Sequence, residues 1–431
     1  MDERHVVTCF LRNAGEVLLL CRSDAVGSYR GQWGGVAGHV ADDAGRDRDP
    51  ETAARAEIAE EVGLAHAVTL VRAGEAFPVA DEGRGTRWVV HPFLFDCASR
   101  AVTTNEETTE VAWVAPPEIR RRETVPRLWT SYDRVRPRVA TVRDDTAHGS
   151  AWLSLRALEV LRDEAALAVA GHWDDLETAE RTGDDWAALT DLAGRLLDAR
   201  PSMAVVANRV NRAVVAASDE RTLAALEHAA TGAIEQSIEA DADAATLAAE
   251  RLPDRVATLS RSGTVADAIR RADTEGVLVA ESRPGGEGVG VAASLADGHD
   301  VTLTTDAAFA FELADWDAGA LLVGADRVLP DGHVVNKAGT RAAALAAAHD
   351  GIDVYVVAAS DKVAATADYD LEPRGAGEVY DGDADLAVAN PTFDVTPADA
   401  VTGVLTEQGE LDGADVAIVA AAHREWAAWR G

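Results

Sequence analysis

Ala56-Glu57-Ile58-Ala59-Glu60-Glu61-Val62-Gly63-Leu64 sets three glutamates at relative positions zero, three and four. With about 3.6 residues per helical turn, those positions share one face. Carboxylates converging there make a hard, oxygen-only site, suited to Mg²⁺ or Mn²⁺ rather than to a soft metal. Start and stop signals bracket the segment. Asp49 is a candidate N-cap, Pro50 a candidate first helical residue and Gly63 a candidate stop. The spacing therefore predicts a helix over residues 50–62 with an acidic face.

Working outward, Gln32-Trp33-Gly34-Gly35-Val36-Ala37-Gly38-His39-Val40 precedes the helix. It reads as a glycine-rich turn in which Gly38 lets backbone approach a ligand closely. Val6–Phe10 and Glu16–Leu20 read as strands paired around Gly15. Trp88–Phe95 reads as another strand, and Val111–Val114 follows an acidic loop at Glu106, Glu107 and Glu110. Together the loop, helix, glutamate face and Gly-hydrophobic stop resemble the Nudix box of the Nudix hydrolases. The resemblance covers about residues 1–138 and implies an α/β/α sandwich around a mixed sheet. It implies that Glu57, Glu60 and Glu61 bind Mg²⁺ or Mn²⁺, which would bridge a diphosphate and activate water. Two features depart from that pattern. The family has an arginine directly before the first glutamate, where this chain has Ala56, and the neighbouring Arg55 points elsewhere on an ideal helix. The stretch from Gly38 to Glu57 is also four residues longer than the box, the excess falling in Asp42–Asp49.

Composition narrows the remaining choices. A chain of 431 residues can hold two or three domains. The formal charge is −34, with two lysines (Lys337 and Lys362) against 38 arginines. Such acidity suits a protein adapted to high salt and argues against a basic nucleic-acid face, so no direct nucleic-acid partner is expected. At 47% hydrophobic residues in periodic runs, the chain is not a disordered one. No apolar run reaches the ~18 residues that span a bilayer, and Met1-Asp2-Glu3-Arg4 is no secretory start, so a cytoplasmic location and no membrane partner are expected. Cys9, Cys21 and Cys97 form neither a disulfide framework nor a metal spacing and read as thiols in strands. The tryptophans read as core and domain-contact residues, and His91 and His148 lack ligand-like spacing.

A polar, proline-containing stretch at Asp133–Ala147 reads as a linker, and helical runs follow to about Glu250. They include Ala151–Asp163, Trp186–Ala199 and a run from Arg200 to Arg212, with breaks at Gly171 and Gly183. From residue 251 short apolar runs alternate with helices. Val256–Leu259, Gly276–Ala280, Val301–Thr304, Ala320–Val323 and Val354–Ala358 read as buried parallel strands of a doubly wound α/β domain. The expected class is therefore α/β throughout, with domains at 1–138, 139–250 (helical) and 251–431 (Rossmann-like). Polar motifs follow each of these strands: Ser260–Thr264, Glu281–Gly285, Thr305-Asp306, Gly324–Arg327 with Asn336–Thr340, and Ser360-Asp361-Lys362. Ligands of open α/β sheets bind at the carboxyl edge of the strands, so these groups are expected to face one crevice suited to phosphate.

Gly324-Ala325-Asp326, Asn336-Lys337-x-Gly339-Thr340, Ser282-Arg283-Pro284 and Asn390-Pro391-x-Phe393-Asp394 resemble the initiation factor 2B-related family, over about residues 150–431. That family includes subunits of the exchange factor, ribose-1,5-bisphosphate isomerase and methylthioribose-1-phosphate isomerase. The resemblance implies a sugar-phosphate pocket lined by Asp326, Asn336 and Lys337, with Arg283 as an anion contact, and a homo-oligomer. The family's isomerases move protons with a cysteine and an aspartate. Asp326 matches the aspartate, but Ser260 stands where the cysteine belongs, and a hydroxyl is a far weaker acid than a thiol. The expectation is therefore a Nudix-type hydrolase of a nucleoside diphosphate derivative such as ADP-ribose, joined to a domain that binds sugar phosphate or nucleotide without catalysis. Two alternatives stay open: a non-catalytic regulatory protein of the initiation factor 2B type with an inert Nudix module, and a sugar-phosphate isomerase with a different acid–base pair.

Overall fold

A computed structural model describes residues 2–41, 46, 48–177 and 184–430. Residues 42–45 and 47 of the longer loop, and Gly183, lie outside the described residues. The chain divides into two compact units: residues up to Arg138 with Ala166–Leu176, and Val139–Ala165 with the chain from Glu177 onward.

In the first unit, β1 (Asp2–Asn13) and β2 (Glu16–Arg22) pair antiparallel through an Ala14-Gly15 turn. Both turn residues have positive φ, which matches a tight hairpin turn to the twist of its strands. Short strands β3 (Trp33–Gly34) and β4 (Val36–His39) follow, then α1 (Pro50–Val62), β5 (Val68–Ala73), β6 (Phe77–Asp81), β7 (Thr86–Cys97) and β8 (Thr108–Val114). The central order is β3-β2-β1-β7-β5, with β4 on β1, β6 on β7 and β8 on β2. β1 and β7 run parallel and the other pairs antiparallel, so the sheet is mixed. Alternation of side chains along the strands builds two cores. Val7, Cys9, Leu11, Leu18 and Leu20 pack with Ala53, Ala54, Ile58 and Val62 of α1. Phe10, Val17 and Leu19 point the other way, toward Trp129 and Tyr132 of α2 (Leu128–Asp133). The expected glycine-rich turn is thus largely β3 and β4, because Val36 is apolar enough to join the core. Cys9 and Cys97 are buried and Cys21 partly so, all as free thiols.

The stretch read as a linker is ordered. Arg136 is fully buried and bonds Asp133 at 2.8 Å, and Val139 and Val142 of α3 (Val139–Asp144) enter the helical core of the second unit. That core is shared by α4 (Ser150–Val169), α5 (Asp185–Ala199), α6 (Ala204–Ala216) and α7 (Leu223–Ala249). Helix α6 starts four residues later than the expected run at Arg200, because Arg200 leaves the helical region and a turn intervenes.

The second sheet is built from β9 (Arg255–Leu259), α8 (Gly263–Arg271), β10 (Gly276–Ala280), α9 (Glu287–Leu295), β11 (Asp300–Thr304), α10 (Asp306–Asp315) and β12 (Ala320–Val323). A small side sheet follows with β13 (Arg327–Val328) and β14 (Val334–Lys337), then α11 (Thr340–Asp350), β15 (Asp353–Val357) and β16 (Phe393–Thr396), which returns to β14. Strands β17 (Gly403–Thr406) and β18 (Gly409–Leu411) and helix α12 (Gly413–Trp426) close the chain. The large sheet has the order β11-β10-β9-β12-β15-β17-β18, parallel except for β18. Chain order reverses between β9 and β12, so this is where a ligand crevice is expected. Ala257, Leu278, Leu321 and Val354 face α10 and α11, whereas Val256, Val277, Leu322 and Val357 face α7, α8 and α9. The fold is the doubly wound α/β class expected. No helix among the described residues is long and apolar enough to cross a membrane.

A buried ionic knot joins α6 to the loop after β15. Asp361 takes Arg209 Nε at 3.0 Å and Arg212 Nη1 at 2.5 Å, and Asn208 Nδ2 donates to the Asp361 and Val363 carbonyls, both at 2.8 Å. Burial pushes the Asp361 carboxyl up, but the two guanidiniums outweigh it and hold it below its usual range. Removing one member strands a buried charge. Arg209→Ala should cost about 3–5 kcal/mol, read as a lower midpoint of urea unfolding. A variant as stable as the parent contradicts the assignment.

Candidate functional site

Helix α1 carries out the capping read from the sequence. Asp49 accepts the Thr52 N–H at 3.1 Å, and Gly63 ends the helix with φ 71°. The three glutamates are not equivalent. Glu60 and Glu61 stand about 100° apart around the helix, with Glu57 between them. Accordingly Glu61 is buried, Glu57 half-buried and Glu60 exposed. Among the described residues no group of three or more acidic, histidine or cysteine side chains is placed to hold a metal ion.

Glu57 and Glu61 both lie against β4. Glu61 Oε2 accepts the Ala37 N–H at 3.3 Å. A Cβ at Gly38 would sit 2.0 Å from the Glu57 carboxyl carbon, so glycine is required there for the glutamate to lie on the strand. The close approach expected at Gly38 is therefore made by a side chain of the same site. Burial pushes the Glu61 carboxyl up to about 8, and the charges of Glu57 and Glu107 add to this. Burial also raises Glu57, with Glu60 and Glu107 reinforcing it and Arg48 opposing. Glu107 comes from the acidic loop before β8 and acts on both carboxyls by its charge. Two carboxylates with repulsive neighbours suit a magnesium-like ion, which keeps several waters and takes one or two carboxylates. Arg22 and Arg30 bond backbone carbonyls of their own loop, at Ser28 and Val26, both at 3.0 Å.

In the second unit a cavity of about 970 Å³ opens at the carboxyl ends of β9 and β12, where chain order reverses. The loop Ser260–Thr264 lines one side and Gly324–Asp326 the other. A Cβ at Gly324 would lie 2.9 Å from Ser262 Oγ, so glycine lets the two loops touch. Ser260 has φ 65° and donates its N–H to Ser282 Oγ at 2.6 Å. Asp326, Asn336 and Lys337 all line the cavity. Asn336 Nδ2 donates to Thr340 Oγ1 at 3.0 Å, and Lys337 Nζ bonds Glu287 Oε1 at 2.7 Å. Glu287 Oε2 is buried without a hydrogen-bond partner.

Arg283 is placed differently. Its guanidinium bonds Glu281 at 3.0 Å, and it is not among the residues lining the cavity. Asp306 accepts the N–H groups of Ser282 and Arg283, at 2.8 and 2.6 Å. The motifs after β10 and β11 thus brace each other, because those strands lie beyond β9 from the point of reversal. Arg261 and Lys362 line the cavity as members of the motifs expected there, whereas Arg200, Arg374 and Glu287 line it without having been expected. His148, read as ordinary, also lines the cavity, stacked on Trp152 at 3.8 Å between ring centres. Lys362 is buried and donates from Nζ to the Ala325 carbonyl at 2.6 Å. Burial lowers its pKa, and the Asp326 charge opposes this. Its place in the Ser360-Asp361-Lys362 motif and the scarcity of lysine were the signals for it.

Both regions of the chain match known families. Residues 146–413 match the Initiation factor 2 subunit family, and residues 2–139 match the NUDIX domain. The methylthioribose-1-phosphate isomerase of Pseudomonas putida (strain GB-1) is 32% identical over 328 residues, 68% of this chain and 88% of that protein. A probable bifunctional methylthioribose-1-phosphate isomerase/methylthioribulose-1-phosphate dehydratase of Nocardia farcinica is 45% identical over 175 residues, 37% of this chain and 32% of that protein. The translation initiation factor eIF-2B of Pyrococcus horikoshii OT3 superposes with a TM-score of 0.54 at 28% identity, covering 63% of this chain and 94% of that one.

The raised Glu61 carboxyl gives a pH test. Its folded value of about 8 exceeds its ordinary 4.5, so its contribution to stability is full below pH 4.5 and lost as pH rises through 8. Metal-free protein should lose melting temperature over that window, and Glu61→Gln should flatten the dependence by at most about 1.4 kcal/mol per pH unit. An unchanged slope in the variant contradicts the assignment.

Proposed function

The chain belongs to the initiation factor 2 subunit family, and from that premise we propose an enzyme with two sites. The second unit isomerises a phosphorylated sugar, and the NUDIX domain ahead of it hydrolyses a diphosphate linkage in a nucleoside diphosphate derivative. The proposed domain limits are 1–138, 139–250 and 251–431.

The observation that carries the isomerase reading is the cavity at the point of chain reversal, with Asp326 and Lys362 both in its lining. Read from the sequence alone, the lost cysteine makes isomerisation an alternative rather than the first choice. Relatives named as isomerases favour that alternative, and Lys362 supplies a physical reason. Shifting hydrogen between neighbouring sugar carbons needs a base at carbon and an acid at oxygen. Asp326 serves as the base. Lys362, its pKa lowered by burial, is a better acid near neutral pH than the Ser260 hydroxyl and stands in for the missing thiol. Arg200, Arg261 and Arg374 provide cations for phosphate, and the free oxygen of Glu287 accepts a sugar hydroxyl.

The seating of Glu57 on Gly38 supports the hydrolase reading. Glu57 and Glu61, with Glu60 at the rim, are the proposed holders of Mg²⁺ or Mn²⁺. When bound, the ion neutralises phosphate charge and lowers the pKa of water. ADP-ribose is the proposed first substrate to try, because its cleavage yields AMP and ribose 5-phosphate, ligands of the kind a sugar-phosphate pocket accepts.

Two assays with crossed variants test both halves. In molar KCl with Mg²⁺, ADP-ribose should yield AMP, with loss in Glu61→Gln and none in Asp326→Asn. A panel of diphosphate derivatives with no turnover contradicts the hydrolase reading. Methylthioribose 1-phosphate or ribose 1,5-bisphosphate should be converted, about 100-fold more slowly in Asp326→Asn and in Lys362→Met. No conversion of either sugar by the folded parent contradicts the isomerase reading.

A further inference from the structure

Position 56 is alanine, so the helix itself offers Glu57 no adjacent cation. Arg55 is engaged elsewhere. Its guanidinium pairs with Glu51 at 2.9 Å and lies over the Phe95 ring at 5.4 Å. Glu57 nevertheless has an ion pair: Arg48 Nη2 stands 3.6 Å from its Oε1.

Arg48 reaches that position from the longer loop and is anchored three ways to the end of β4. Its backbone N–H and its Nε both donate to the Val40 carbonyl at 3.2 Å, and its Nη2 donates to the His39 carbonyl at 2.9 Å. The next residue, Asp49, caps α1. Side chains on a helix lean toward its N-terminus, so Glu57 reaches back to the place where this guanidinium is pinned. Glu60 and Glu107 repel the Glu57 carboxylate, and Glu57 and Glu107 repel Glu61. Without an opposing cation, a half-buried carboxylate under that repulsion turns to water.

We propose that Arg48 is the positioning residue of the acidic site. It holds the Glu57 carboxylate on Gly38, so that Glu57 and Glu61 present oxygens to one divalent cation. The four-residue lengthening before Glu57 and the alanine at position 56 are then two halves of one arrangement, the loop delivering the charge the helix lacks. This rests on the hydrolase reading for its purpose but not for its geometry, and the test separates the two.

Mn²⁺ is titrated into the full chain and its free fraction read by electron paramagnetic resonance. Arg48→Ala should weaken binding by about tenfold or more, Arg48→Lys by less, and Arg55→Ala should leave it unchanged. Folding is checked by melting temperature. Parent-like Mn²⁺ affinity in folded Arg48→Ala overturns the proposal. Parent protein that binds Mn²⁺ yet cleaves no diphosphate sinks the hydrolase reading and leaves Arg48 its role. Should the parent bind no Mn²⁺, a crystal structure of Arg48→Ala decides: Glu57 lifted from Gly38 supports the proposal, and Glu57 unmoved overturns it.

Discussion

An ionised carboxylate taken out of water must be met by a cation or by hydrogen bonds, and a chain with 40 lysines and arginines against 74 aspartates and glutamates has few cations to spare. The structure meets this demand unevenly. Asp361 is enclosed by Arg209 and Arg212, and the loop after β15 is thereby locked to α6. Glu57 has Arg48. Glu61, the most buried of its trio, has one N–H bond from Ala37 and the weaker field of Arg22. Saturated carboxylates build the fold. The unsaturated one is left with a strong preference for its proton.

The same logic orders the second unit. Parallel strands wound in both directions from β9 and β12 leave a gap at their carboxyl ends that neither set of crossover helices covers. Loops from those two strands form the cavity, and glycine at 324 lets them meet. Lys337 and Glu287 neutralise each other there, whereas Lys362 is buried against a carbonyl next to Asp326. The cavity thus holds one balanced ion pair and one lysine–aspartate couple whose lysine is pushed toward its neutral form.

Much of this was legible in the sequence where local rules suffice. Asp49, Pro50 and Gly63 bound α1 as written, and the Gly276–Ala280 and Ala320–Val323 strands fall where their apolar runs lie. What local rules miss is direction and distance. Three glutamates on one face still span an arc of about 100°, enough to turn Glu61 inward and Glu60 outward. Strands β5 and β6 are short and partly exposed, so neither carries a clean apolar run. Arg48 is nine residues from Glu57 in sequence, and its bonds to the His39 and Val40 carbonyls leave no mark in a local pattern. Arg283 sits in the loop after β10, which lies beyond β9 from the cavity, a fact fixed by strand order rather than by the motif.

Crystals soaked in Mn²⁺ and measured at the manganese absorption edge address the central claim most directly. An anomalous peak within coordination distance of the Glu57 and Glu61 carboxylates is the expected result. Clean density there with no such peak, and both side chains placed as described, would contradict it.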